Sequence, residues 1–322
     1  SYYQQEQAPY QPPQPSRLRE NRDSLLFFGL MLSREVLVIL LTLLTGGITY
    51  AFSLFGIGIS YLSGGVETSE QINLMICTIL PMMLVIGVYA AARRVPMGMI
   101  LPSRGVNAGT FLAGVGICMG LTLGGYISNL ITVVGQSLGI SFTQPAMEAP
   151  LNSFAGIFYV INVVILPPIL EETVFRGVSL HAFRKAGYAG SILLSALVFA
   201  VAHGNFNQFP TALCLGLGAA YFTLRFRNIW IGVVAHFLNN LIYVLFEYGA
   251  RSGADQLYTY ANIALTVVML LGMLAGVLYL VSRYGNELVP SEQPVMGAAK
   301  KMFLNPTAII WLGLYLIVML TA

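Results

Sequence analysis

Charge is what this sequence has least of. Of its 322 residues 9% are Asp, Glu, Lys or Arg and 57% are apolar, where a soluble domain carries about 25% charged residues. With a mean hydropathy of +0.75, that deficit excludes an ordinary water-soluble domain and identifies an integral membrane protein. Cysteine is scarce too. Cys77, Cys118 and Cys214 lie in different apolar runs with no CxxC or Cys/His spacing, so they give no disulfide or metal framework and read as small buried apolar residues. The net charge of +3 gives no reason to expect nucleic acid as a partner. HExxH is absent, and no inverted repeat of the transporter kind is evident. No cleavable signal peptide is expected, because the apolar core begins late and the start lacks a charged region.

What the chain does have is apolar runs long enough to cross about 30 Å of hydrocarbon. Nine are expected, at about 35–61, 72–92, 108–134, 153–173, 188–205, 208–225, 229–248, 257–281 and 305–321. The expected fold is therefore all-α, a polytopic membrane protein of eight or nine transmembrane helices with a polar cavity among helices four to seven. Residues 1–24, rich in Gln, Pro and Tyr, read as a disordered cytoplasmic tail. The rest, 25–322, reads as one helical membrane domain, with Leu25 to Leu32 lying along the surface before the first span. Threading nine spans with the N-terminus inside puts 15 of the 16 basic residues on one side, all but Arg251, as cytoplasmic loops require. The short loops point to a bacterial plasma membrane.

Against this background the polar residues inside the spans stand out. Glu171, Glu172 and Arg176 end an otherwise uncharged run, and an ionisable group at the centre of a bilayer costs roughly 3 kcal/mol. Adjacent helical residues point about 100° apart, so Glu171 and Glu172 face different neighbours, while Glu172 and Arg176, at i and i+4, can pair. Pro168 is expected to kink this helix and free a backbone carbonyl. Phe199 shares a face with His203, and His236 shares one with Asn240. His181, near Arg184 and Lys185, reads as interfacial. Glu171, His203 and His236 could hold a water, with one of them as general base and Asn240 as donor to an oxyanion. The same three residue types suit zinc with one open position, and a noncatalytic immunity or transport protein could use the cluster to bind a proton or peptide.

Three signatures in order, Glu171-Glu172-x-x-x-Arg176, Phe199-x-x-x-His203 and His236-x-x-x-Asn240, resemble the motifs of the CPBP intramembrane proteases, which include the type II CAAX prenyl endopeptidases and bacteriocin-immunity proteins. The resemblance covers about 171–240, within a catalytic core at about 153–248. It implies hydrolysis of a peptide bond in a lipidated or hydrophobic peptide or protein substrate, by a glutamate and without a required cofactor. Glu171 would activate water and His203 would help hold it. His236 and Asn240 would form the oxyanion site, and Glu172 with Arg176 would brace the helix. The family core has eight helices, one fewer than the spans here.

Overall fold

The computed structural model describes residues 22–54, 65–137, 150, 153–250, 255–288 and 296–321. Most of the expected tail, residues 1–21, lies outside the described residues, as do 55–61 of the first expected span. The helices are α1 (Arg22–Leu54), α2 (Gly65–Arg93), α3 (Met97–Ile100), α4 (Ala108–Leu121), α5 (Gly125–Ser137), α6 (Ser153–Val160), α7 (Leu166–Glu172), α8 (Leu180–Phe183), α9 (Gly187–Ala202), α10 (Phe209–Phe226), α11 (Trp230–Ala250), α12 (Asp255–Tyr284), α13 (Met296–Phe303) and α14 (Pro306–Thr321). In its described part each of the nine expected spans falls on a helical run.

Among the described residues seven stretches are long and apolar enough to cross a membrane, and Pro306–Leu320 is a shorter apolar helix. One of the seven, Phe154–Ala202, contains 49 residues and holds two expected spans, because it is a hairpin. The chain reverses at the 3-10 turn Arg184–Ala186 and at Gly187, whose φ of 76° favours glycine. Serine hydroxyls tie the two arms together: Ser191 donates to the Phe183 carbonyl at 2.8 Å and Ser195 to the Phe175 carbonyl at 2.5 Å.

The start of the chain differs from expectation. Residues 22–24 open α1 instead of closing the tail, and Leu25 to Leu32 do not lie along a surface. Phe27, Phe28 and Met31 are fully buried, with Phe27 and Phe28 against Phe183 at ring separations of 5.6 and 5.8 Å. The cause is Asp23, 0% exposed, which Arg184 engages at 2.7 Å and Arg93 also contacts. An acid with two cations to meet inside the bundle draws the helix inward by three turns. His181 joins this cluster, 3.0 Å from the Tyr89 hydroxyl.

Two apolar clusters make up most of the interior. One gathers α1, α2, α7, α8, α9 and α14 around Phe28, Tyr89, Phe183 and Trp311. The other gathers α4, α10, α11 and α12 around Cys118, Phe222, Ile231 and Leu280. Where α4 meets α12 the backbones nearly touch: a Cβ on Gly116 would lie 2.8 Å from the Gly272 carbonyl oxygen, the close approach that small residues allow between membrane helices. The starts of α11 and α14 are capped by asparagine. Asn228 accepts from the Trp230 and Ile231 amides at 2.9 and 3.3 Å, and Asn305 from the Ala308 amide at 3.0 Å. The polar residues of the three motifs lie where the two clusters meet.

Candidate active site

The helix carrying the paired glutamates is not regular. Two π-helical stretches, Ile161–Ile165 and Thr173–Ser179, flank α7 on either side, and Pro167 and Pro168 occupy its first turn. A proline has no N–H, so carbonyls in the preceding turn lose their helical partner. One of them, Val163, accepts instead from the Asn240 side chain at 2.8 Å. The hydroxyl of Thr173 covers the Ile169 carbonyl at 2.6 Å. Wide turns of this kind are found mostly where a helix serves a functional site.

Glu172 is 0% exposed and held from two sides. Its Oε1 lies 3.1 Å from Arg176 Nη1 on its own helix and 3.0 Å from His236 Nδ1 on α11. Arg176 is equally enclosed, its guanidinium 4.0 Å from the centre of the Phe199 ring, a cation–π contact that supports a desolvated charge. Glycines make the space. A Cβ on Gly232 would lie 3.0 Å from Glu172 Oε2, and one on Gly216 would lie 3.3 Å from Arg176 Nη2.

Glu171 is built differently. Its side chain is 21% exposed, and its Oε2 stands 4.0 Å from His236 Nε2, too far for a direct hydrogen bond. His236 thus lies between the two carboxylates. Because an ionised Glu172 only accepts, it fixes the proton on Nδ1 of a neutral His236 and leaves the Nε2 lone pair toward Glu171.

His203 caps the end of α9, with Nδ1 2.8 Å from the Phe199 carbonyl, which leaves Nε2 as the other ring nitrogen. Counting residues from the helix ends would put His203 about 12 Å deeper than His236. In the structure both rings pack on Phe199, at 4.7 and 5.7 Å between centres. The ends of α9 and α11 from which the count runs are therefore not level with each other, and α9 stops at Ala202, just before His203 and Gly204 with φ of 62°.

The structure therefore brings Glu171, Glu172, Arg176, His203 and His236 around Phe199. Asn240 sits one turn beyond His236, with one amide hydrogen on Val163. Among the described residues no three His, Cys, Asp or Glu side chains are grouped closely enough to ligate one metal ion. Sequence reasoning did not find the Glu172–His236 bond, which joins residues 64 apart on different helices. Nor did it find the Asn240–Val163 bond, although the two prolines signalled that a carbonyl there would need a donor.

Comparison with known proteins bears on this same stretch. Residues 153–242 match the family described as type II CAAX prenyl endopeptidase Rce1-like. Over 84 residues the chain is 27% identical to a Bacillus subtilis (strain 168) protein named "Putative membrane peptidase YdiL", an overlap of 26% of this chain and 34% of that relative. The chain thus spans about a third of the length of the relative it matches. No solved structure matches it.

Proposed function

We propose that this chain, whose residues 153–242 carry a CPBP-family core of the Rce1-like kind, is an intramembrane endopeptidase. It hydrolyses a peptide bond of a membrane-associated, lipidated or hydrophobic peptide with water activated by Glu171. The observation that carries this reading is the facing of Glu171 Oε2 and His236 Nε2 across 4.0 Å. A water making two hydrogen bonds of about 2.8 Å reaches both acceptors at once.

From that position the water oxygen attacks the scissile carbonyl as Glu171 takes its proton. The carbonyl becomes an oxyanion, to which the second amide hydrogen of Asn240 can donate, while His203, whose Nδ1 donates to the Phe199 carbonyl, keeps an Nε2 lone pair that can help hold the water. When the C–N bond breaks, Glu171 returns its proton to the departing amine and the carboxyl product keeps the water oxygen. Glu172 and Arg176 hold His236 and do not touch the substrate. No metal is needed for any of these steps. The sidedness of the basic residues supports a cytoplasmic N-terminus, and the short loops support a bacterial plasma membrane.

The test is direct. Detergent-purified chain is incubated with a library of hydrophobic and lipidated peptides, with and without chelator, and products are read by mass spectrometry. Cleavage at internal peptide bonds that survives chelation is expected. Cleavage abolished by chelator and restored by zinc would replace this mechanism with the metal-dependent one, and intact peptides throughout would favour a noncatalytic role.

A further inference from the structure

The basic residues gather at one end of the bundle. Arg93 at the end of α2 and Arg184 at the hairpin turn both meet Asp23 at the start of α1, and the Arg104 amide, before α4, donates to the Arg227 carbonyl, after α10, at 2.9 Å. Between that end and Glu171 the site's helices are sealed. Every residue from Glu172 to Leu180 is buried, as are Ile231, Gly232, Val233, Ala235 and His236 on α11. Small residues make the seal. A Cβ on Gly216 would lie 3.1 Å from the Ala196 Cα, one on Gly232 would lie 2.9 Å from the Ala219 Cβ, and one on Gly177 would meet the Ile100 carbonyl of α3. Arg176 fills the space between Glu172 and the Phe199 ring. Beyond Glu171 the burial stops. On α11 no residue from Phe237 to Tyr243 is buried, Val201, Ala202 and His203 are half-buried at the end of α9, and Gln208 is exposed just before α10. Ile165 and Ile169, which precede Glu171 and so lie farther from the Arg184 turn, are exposed as well. Polar pairs stand among these apolar residues: Asn239 donates to the Asn240 side chain at 3.1 Å, and Thr132 of α5 donates to Asn207 at 2.7 Å.

We propose that the site is entered from the end of the bundle opposite the basic residues, so that its substrate is a hydrophobic peptide presented at the extracytoplasmic face of the membrane. This rests on the peptidase reading, and on the basic residues marking the cytoplasmic side. Glu172 and Arg176 then form the floor of the cavity, and a peptide arriving from outside meets Asn240, His203 and Glu171 before it reaches them. A peptide segment carries backbone donors and acceptors as well as apolar side chains, and inside a membrane both must be met by the protein. Asparagines beside exposed isoleucines offer both on the open side. A peptide from the cytoplasm would have to part Gly177 from Ile100 or Gly216 from Ala196, contacts in which the backbones already touch.

The test uses the full chain with Cys77, Cys118 and Cys214 changed to alanine and one new cysteine at a time, S103C, Q208C or H203C. Ser103 is exposed at the basic end, Gln208 is exposed at the other end, and His203 is half-buried in the site. In bacterial spheroplasts a charged maleimide that cannot cross the membrane is expected to label Q208C and H203C as fully before permeabilisation as after it, and S103C only after it. Right-side-out vesicles bearing the cysteine-free chain should cleave a hydrophobic peptide whose charged tail keeps it from crossing. Inside-out vesicles should leave it intact, and E171Q should leave it intact in both. Labelling of H203C only after permeabilisation, or cleavage by inside-out vesicles, alone or as well, overturns the inference. If H203C does not reach the membrane, N239C, next to Asn240, takes its place. Intact peptide in both vesicle types, beside full labelling of H203C from outside, sinks the peptidase reading and supports the direction of entry.

Discussion

Two of the places where this bundle holds acids against arginines are built in opposite ways. Asp23 is closed on every side, 0% exposed with Arg93 and Arg184 both upon it. It fastens the start of α1 to the end of α2 and to the hairpin turn. At the other place two adjacent glutamates divide the work. Glu172 is as closed as Asp23, whereas Glu171 keeps 21% of its side chain open and a histidine nitrogen 4.0 Å away. A buried charge satisfied by ion partners is a brace, because anything that disturbs it exposes an uncompensated charge. One left open beside an oriented histidine is available for chemistry.

The comparison can be broken most sharply at Glu171. Changing it to Gln should lower peptide cleavage by about 10²–10⁴-fold, the usual worth of a general base, while the melting midpoint stays close to wild type. Removing a closed partner should do the reverse. Arg176→Gln and Asp23→Asn should each cost about 3–5 kcal/mol of stability, seen in thermal melts and in poor recovery from the membrane. If Asp23→Asn instead melted like wild type, the two places would not differ as claimed. Gly232→Ala sharpens the contrast more gently. Its new methyl would press on Glu172 Oε2 at 3.0 Å, an overpacking cost of about 1–3 kcal/mol, and kcat should fall with it as His236 shifts. Smallest is Asn228→Ala, a cap far from both acids, at about 1 kcal/mol with kcat unchanged.

Much of this was legible before any coordinates. Apolar runs located the helices because the bilayer sets their length, and helical phase alone separated Glu172 with Arg176 from Glu171. The spacings of four in the three motifs keep each pair on one face, and the structure brings Arg176, His203 and His236 against the Phe199 ring. What could not be read was whatever depends on helices meeting. Asp23 precedes the first long apolar run, so it looks like a loop charge. Only the docking of α1 against Phe183 shows that it lies inside. That Asn240 bonds Val163 could not be read, since the bond depends on how α11 crosses the proline turn. The extra depth assigned to His203 came from counting along each helix from its own end, whereas the packing of both rings on Phe199 shows that those ends are not level.

The two π stretches around α7 have one more consequence. Each π turn holds one residue more than an α turn, and one residue rotates everything beyond it by about 100°. Glu171 therefore points where it does because of spare residues upstream, at Ile161–Ile165. Deleting one of those would leave the motifs, the hydropathy and the helix intact while swinging both acids out of register with His236. The segment thus works as a key whose teeth are set by its length, and a gap of a single residue inside this helix would separate a relative that shares the chemistry from one that shares only the spelling.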